Sequence, residues 1–250
     1  MGEDILFFII FGFIAQMIDG MLGMAYGVSA NTLLLTFGLS PAVASACVHT
    51  AEIFTTLVSG ISHFTFGNFN KKLFTKLLIP GIIGGALGAY ILAELPGDKL
   101  KPFIAVYLLL MGVRIILKSI KFTTGKQPKG TKSIPFLGLV GGFFDAIGGG
   151  GWGPIVTTTL VADGTNPRLA IGSVNAAEFF VTVAESLTFF ITIGSLLPRY
   201  WHVIVGLLVG GVLAAPFAAY ACKKIPPKKL MAVVGVSIVL LSLRTIIKAF

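Results

Sequence analysis

Acid is what this chain has least of. Ten Asp and Glu residues occur among 250, and charged residues of either sign make up 12% of the chain, where soluble domains carry roughly a quarter. Between Ile5 and Asn70 the only charges are Asp19 and Glu52. With 55% hydrophobic residues and a mean hydropathy of +0.93, so little charge cannot solvate a water-facing surface, and soluble enzyme classes are excluded. The two cysteines, Cys47 and Cys222, lie inside apolar runs without a paired or metal-ligand spacing, so neither a disulfide framework nor a zinc site is expected. The three histidines, His49, His63 and His202, are scattered, and there is no Walker loop, no HExxH and no nucleophile elbow. No cofactor, metal or catalytic residue is therefore expected. Glu3 and Asp4 stand where a signal peptide carries basic residues, and no small-residue cleavage site follows the run from Ile5 to Ile18, so that run is expected to stay in the mature protein.

What is present is apolar length. Runs at about 4–38, 42–66, 73–94, 100–120, 134–162, 169–195, 201–222 and 229–250 are separated by short polar loops. A crossing takes about 20 residues over about 30 Å of hydrocarbon, which allows roughly six to eight spans and leaves no room for a separate soluble domain. The net charge of +9 comes from Lys and Arg clustered in loops, as at Lys71, Lys72 and Lys76, the pattern of orienting charges and not of a nucleic-acid surface. The segment from Lys121 to Ser133, with Lys126, Pro128, Lys129, Gly130 and Lys132, is the one evident linker. It divides the chain into a first transmembrane repeat at 1–120, a cytoplasmic linker at 121–133 and a second repeat at 134–250.

The halves are internally similar. A constant offset of 126 pairs Asp19 with Asp145, Gly23 with Gly149, Gly27 with Gly153, Pro41 with Pro167, Val48 with Val174, Glu52 with Glu178 and Thr56 with Thr182. Asp, Glu and Pro are scarce here, so their coincidence marks a duplication. Past the loops the offset becomes 130, where Leu95-Pro96 meets Ile225-Pro226 and Arg114 meets Arg244. The first run of each half is broken by glycine, at Asp19-Gly20-Met21-Leu22-Gly23 and at Asp145-Ala146-Ile147-Gly148-Gly149-Gly150-Gly151. Such density interrupts a helix, giving either one kinked crossing or a re-entrant hairpin. Hairpins would leave three crossings per half and invert the second half, placing 14 of the 19 basic residues on the cytoplasmic side; single crossings lower that to 12. The positive-inside rule favours the inverted arrangement. The expected fold is thus an all-α polytopic membrane protein of two tandem inverted repeats, each an interrupted or re-entrant first helix followed by three transmembrane helices.

Acids inside a bilayer are costly and usually face a cavity or a partner. Asp19, Glu52, Asp145, Glu178 and Glu185 lie within apolar runs. Ser45, His49, Glu52, Thr56 and Ser59 advance by fours and threes along one helix face, and Asn175, Glu178, Thr182 and Glu185 repeat the stripe. Two repeat-related polar stripes point to a shared cavity between halves. Beyond each glycine break, a restarting helix offers unpaired backbone N–H groups and the positive end of its dipole to an anion. Gly20, Gly148, Gly151, Gly153 and Pro154 shape these breaks, with Pro154 at a preferred first helical position. Gly23, Tyr26, Asn31, Gly149, Gly150, Trp152 and Thr157 are candidate substrate contacts beside them, together with His49, Glu52, Asn175 and Glu178. Gly81, Gly84, Gly85 and Gly88, and Gly206, Gly210 and Gly211, have the small-residue spacing of helix contacts. Arg114 and Arg244, near run ends, are expected to snorkel to the headgroups.

The glycine breaks, the Ala51-Glu52 and Ala177-Glu178 pairs, and Ser173-Val174-Asn175 resemble the TauE/SafE family of membrane transporters, over nearly the whole chain. The resemblance implies a two-repeat transporter of small sulfur-containing anions such as sulfite, sulfoacetate or thiosulfate. His49, where the second repeat has Asn175, departs from symmetry. The expectation is a secondary transporter with a midplane site and alternating access, with a channel or a membrane accessory protein as alternatives. Ionised Glu52 and Glu178 would repel an anion, so at least one is expected to carry a proton when substrate binds, making the pair proton-coupling candidates. Its partners would be the anion and the lipid bilayer, with a homodimer suggested by the glycine-rich faces and no nucleic acid.

Overall fold

A computed structural model describes residues 5–121, 133–222 and 227–249, and is helical with no strand among them. The linker expected at 121–133 falls almost wholly outside the described residues. The first half contains α1 (Ile5–Leu22), α2 (Tyr26–Thr36), α3 (Pro41–Thr65), α4 (Lys71–Glu94) and α5 (Gly97–Lys121). The second contains α6 (Ile134–Gly148), one π-helical turn (Gly153–Thr157) that runs into α7 (Thr158–Ala162), then α8 (Pro167–Ile193), a 3-10 segment (Gly194–Tyr200), α9 (Trp201–Ala221) and α10 (Pro227–Ala249). Five stretches are long and apolar enough to cross a membrane, the last of them, Pro167–Ala221, holding both α8 and α9.

Both glycine breaks appear as interruptions. Leu22 ends α1, and the chain turns through Gly23 (φ 63°) and Ala25 (φ 97°), both in the left-handed region. Glycine adopts that region without penalty, whereas Ala25 holds it at a cost. The turn reverses the chain: the Phe7 ring near the start of α1 lies 6.0 Å from Phe37 just beyond α2. In the second half Gly149 (φ 62°) and Gly150 (φ 152°) make the corresponding turn, and Gly141 of α6 faces Val156 on the returning segment. Each first run is therefore a hairpin of two unequal helices.

Helix packing is reciprocal between halves. α1 lies along α9 as α6 lies along α4, α3 meets α9 as α8 meets α4, and the remaining large contacts are α3 with α8 and α5 with α10. The correspondence reaches single residues. A methyl group on Gly12 would lie 2.6 Å from the Leu207 carbonyl oxygen, and one on Gly138 would lie 2.9 Å from that of Leu77. Gly20 touches Ala218, and Ala146 touches Gly88. These are pairs at offsets of 126 and 130, and both helix pairs run in the same direction. The glycines of α4 and α9 serve these contacts: Gly84 sits on the Leu139 backbone, Gly88 on Phe143, and Gly210 on Ile9. The faces that suggested a homodimer are thus filled by the chain's own helices, and a dimer would have to use other surface.

The bundle is apolar outside and polar within. Ile79, Ile83, Leu87 and Tyr90 of α4, Leu110 and Leu117 of α5, and Leu213, Phe217 and Tyr220 of α9 are exposed, while Ser45, His49, Glu52, Thr56 and Ser59 are buried. That is the arrangement for which lipid, and not water, is the surrounding solvent. Overpacking a tight contact costs about 1–3 kcal/mol. Gly12→Ala is therefore expected to lower the thermal unfolding temperature in detergent, and Gly138→Ala, with its looser contact, to lower it less.

Candidate functional site

The turns of the two hairpins meet at the centre of the molecule. Between them lies a small pocket of about 10 Å³, room for about one water molecule in this conformation, lined by Asp19, Ala25, Gly27, Val28, Glu52, Asp145, Gly150, Gly151, Gly153, Pro154 and Glu178. Both repeat-related acid pairs, separated by 126 residues in sequence, therefore wall one space. α3 and α8 bring Glu52 and Glu178, and the ends of α1 and α6 bring Asp19 and Asp145. The restarting helices contribute first-turn backbone at Gly27, Val28 and Gly153.

One helix start is already served by an acid of the chain. Asp145 Oδ1 accepts hydrogen bonds from Gly151 N–H at 2.6 Å and Trp152 N–H at 2.9 Å, so a carboxylate stands where a bound anion was expected. Asp19 faces the backbone N–H of Tyr26, the repeat counterpart of Trp152. At the other end of the break, Asn31 Nδ2 donates to the Gly148 carbonyl at 2.5 Å and joins the two hairpins. The buried backbone polar groups of the second break thereby gain partners, as a dry interior demands.

The remaining candidates support this wall from behind. Tyr26 is buried and donates its hydroxyl to the Leu207 carbonyl at 3.1 Å. Trp152 donates Nε1–H to Val174 O at 3.1 Å and lies against Gly81, where a methyl group would be 2.6 Å from its ring. Gly23 packs beside Ile171 and Thr157, and Gly149 beside Asn31. Thr157 is buried with its hydroxyl unpartnered. Gly20 offers its carbonyl to His63 Nε2 at 3.0 Å, and His63 Nδ1 is 3.2 Å from Asn68 Nδ2, a structural role. Of the sequence candidates for substrate contact, the cavity wall includes Glu52, Gly150 and Glu178; Gly23, Tyr26, Asn31, His49, Gly149, Trp152, Thr157 and Asn175 are not in it.

Two features escaped the sequence reading. Arg114 does not simply reach for headgroups, because its guanidinium donates to the Thr158 hydroxyl (Nε 3.3 Å, Nη2 3.1 Å) and to Thr159 (Nη2 3.1 Å). Glu185 joins His49: His49 Nε2 lies 2.9 Å from Glu185 Oε2, 3.7 Å from Asp145 Oδ2 and 3.8 Å from Glu52 Oε2. The offset of 126 pairs Glu185 with Ser59, an unlike pair in a duplicated stripe, and that mismatch was the available signal.

Lipid-length helices around a buried polar centre built from broken hairpins define a multi-pass membrane protein. The chain belongs to the sulfite exporter TauE/SafE family, which it matches over residues 8–245. It is 43% identical over 252 residues to the probable membrane transporter protein YtnM of Bacillus subtilis (strain 168), an alignment covering 98% of this chain and 83% of the relative. No solved structure matches it significantly. The chain is a membrane transporter of that family.

If Asp145 is a cap for the second break, its neutral isostere should keep the fold. Asp145→Asn retains an oxygen that can accept from Gly151 and Trp152, whereas Asp145→Ala strands two buried N–H groups at about 1–3 kcal/mol each. The alanine variant is expected to melt clearly below the asparagine variant in detergent; equal melting would remove the capping role.

Proposed function

We propose that the protein is a secondary transporter of small sulfur-containing anions, with sulfite, sulfoacetate and related organosulfonates as the substrate class. Two inverted repeats expose a central site alternately to the two sides of the membrane. The observation that carries this reading is the cavity in which both hairpin turns meet, because it joins helix-start N–H groups to four acids on duplicated elements. The reciprocal packing of α1 on α9 and α6 on α4, with three long helices following each hairpin, supports an inverted pair of repeats that can rock about the shared centre. The sulfur-anion class comes from the family.

Selectivity for an anion follows from the helix starts. Backbone N–H groups and helix dipoles favour negative charge at Gly27, Val28 and Gly153, and the oxyanion competes with Asp145 and Asp19 for the neighbouring N–H groups. Those carboxylates act as internal stand-ins for substrate, satisfying the site when it is empty. Entry of an anion beside four ionised acids would be strongly repulsive in so dry a place, so at least one of Glu52 and Glu178 is protonated in the loaded state. Anion and proton then travel together.

The sign of coupling follows. In liposomes holding the purified protein, acid outside is expected to drive uptake of sulfoacetate, with sulfite measured alongside and protein-free vesicles as control. One pH unit is worth about 1.4 kcal/mol per proton, or about tenfold in accumulation. Glu52→Gln with Glu178→Gln is expected to abolish that pH dependence; transport unchanged in the double variant would rule out coupling through these acids. Exchange of external for internal substrate without net flux separates a carrier from a channel, and failure of any sulfur anion to move at all would refute the transporter assignment for this substrate class.

A further inference from the structure

The duplicated polar stripes carry different groups at one matching locus. In the first-half stripe His49 Nδ1 lies 2.8 Å from the Ser45 carbonyl. In the second, Asn175 Nδ2 donates to the Ile171 carbonyl at 3.2 Å, the same bond at an offset of 126. Across the α3–α8 contact, Ser59 donates to Asn175 Oδ1 at 2.6 Å, and at the related place Glu185 Oε2 meets His49 Nε2 at 2.9 Å. A neutral, fully matched hydrogen bond in one half is thus replaced by an ionisable pair in the other.

The protonation of that pair is constrained by its neighbours. The Ser45 hydroxyl spends its proton on the Ala146 carbonyl at 2.6 Å, so toward His49 Nδ1 it presents only an acceptor, at 3.1 Å. Nδ1 therefore faces two acceptors and carries the ring proton. In a neutral ring Nε2 would then point a lone pair at Glu185, Asp145 and Glu52 together. Its ring is buried, and Nε2, Glu52 Oε2, Asp145 Oδ2 and both Glu185 oxygens lack any well-directed hydrogen bond. Lone pairs facing one another in a dry interior are unfavourable, so this cluster requires a proton on Nε2 or on one of the carboxyls. The groups around it are Ser45 and Glu52 from α3, Asp145 from α6, and Glu185 and the Phe189 ring, 6.2 Å away, from α8. From α4 Gly85 approaches, where a methyl group would lie 2.6 Å from Glu185 Oε1, and from α5 the buried, unpartnered Tyr107 hydroxyl lies against Gly151 on the Asp145 side. Asp19 and Glu178 also line the cavity.

The geometry points to His49 and Glu185 as the holder of the single proton that accompanies the anion, set behind the cavity wall in one half of the molecule only. Glu52 and Asp145 belong both to the wall and to the cluster, so they link anion and proton. When the proton moves to the cavity, the Nε2–H bond of the imidazolium breaks and an O–H bond forms on Glu52, leaving a neutral ring and a neutral acid. At 3.8 Å Glu52 is beyond hydrogen-bond length, so the transfer waits on its approach. One such pair per chain sets a coupling of one proton per cycle.

This inference rests on the carrier reading, and its test separates the two. His49→Asn with Glu185→Ser installs the pair that the other half already accommodates as Asn175 and Ser59, so the variant has a tested geometry in which to fold. In liposomes the wild type is expected to show both sulfoacetate exchange and about tenfold accumulation per unit of pH gradient. The double variant is expected to keep exchange within about twofold, since neither residue lines the cavity, and to lose gradient-driven accumulation. Glu185→Gln alone, which keeps the side-chain length, is expected to behave likewise and serves if the double variant is poorly folded. Accumulation that survives in both variants overturns the proposal while leaving the carrier intact. A stoichiometric metal ion found by elemental analysis of the purified wild type, and absent from the double variant, would also overturn it. No exchange in the wild type would instead sink the carrier reading itself.

Discussion

A carboxylate in the middle of a bilayer has no water to turn to, and the rest of this molecule is arranged around that fact. The chain supplies substitutes from its own backbone. The chain breaks off after α1 and after α6, and the breaks free N–H groups that would otherwise be locked in helix. Asp145 takes two of them, Asn31 covers an orphaned carbonyl, and the hairpin turns become a polar cage. Glycine is required because only backbone without side chains can approach this closely: Gly150 lies against Gly27 and Val28 of the opposite hairpin, and Gly27 against Gly149. The long helices then act as a jacket, apolar toward lipid and small-residued toward the hairpins.

Near-symmetry and its local failure have separate consequences. The reciprocal helix pairs make two halves packed alike, and the proposed rocking carrier would use them in turn. The centre is not symmetric: Ser59 with Asn175 is a closed, neutral contact, whereas His49 with Glu185 is open to two further acids. In the proton-coupled reading, the unpaired histidine holds the proton and Glu52, one of the paired acids that line the cavity, receives it.

Much of the architecture was legible before folding. Apolar runs fixed the helices to within a few residues, as with the run at 73–94 and α4 at Lys71–Glu94, because lipid imposes both length and composition. The offsets of 126 and 130 named residue pairs that occupy related places, such as Gly12 with Gly138 against Leu207 with Leu77. What stayed hidden were partners chosen across helices. Nothing local in Asp145 says that it caps Gly151 and Trp152 instead of leaving them to a ligand. Arg114 reads as a headgroup anchor until α5 is placed beside Thr158 and Thr159. Glu185 reads as one more buried acid until α8 crosses α3 at His49.

The sequence by itself determined that this is a membrane protein with two related halves, two interrupted helices and a few costly acids, because hydrophobicity, glycine and charge act locally and one-dimensionally. Tertiary structure decided which atoms those acids meet. Whether a buried carboxylate caps a helix, walls a cavity or shares a proton with a histidine depends on which atoms stand within about 3–4 Å of it, and only the crossing of α3, α6 and α8 settles that distance.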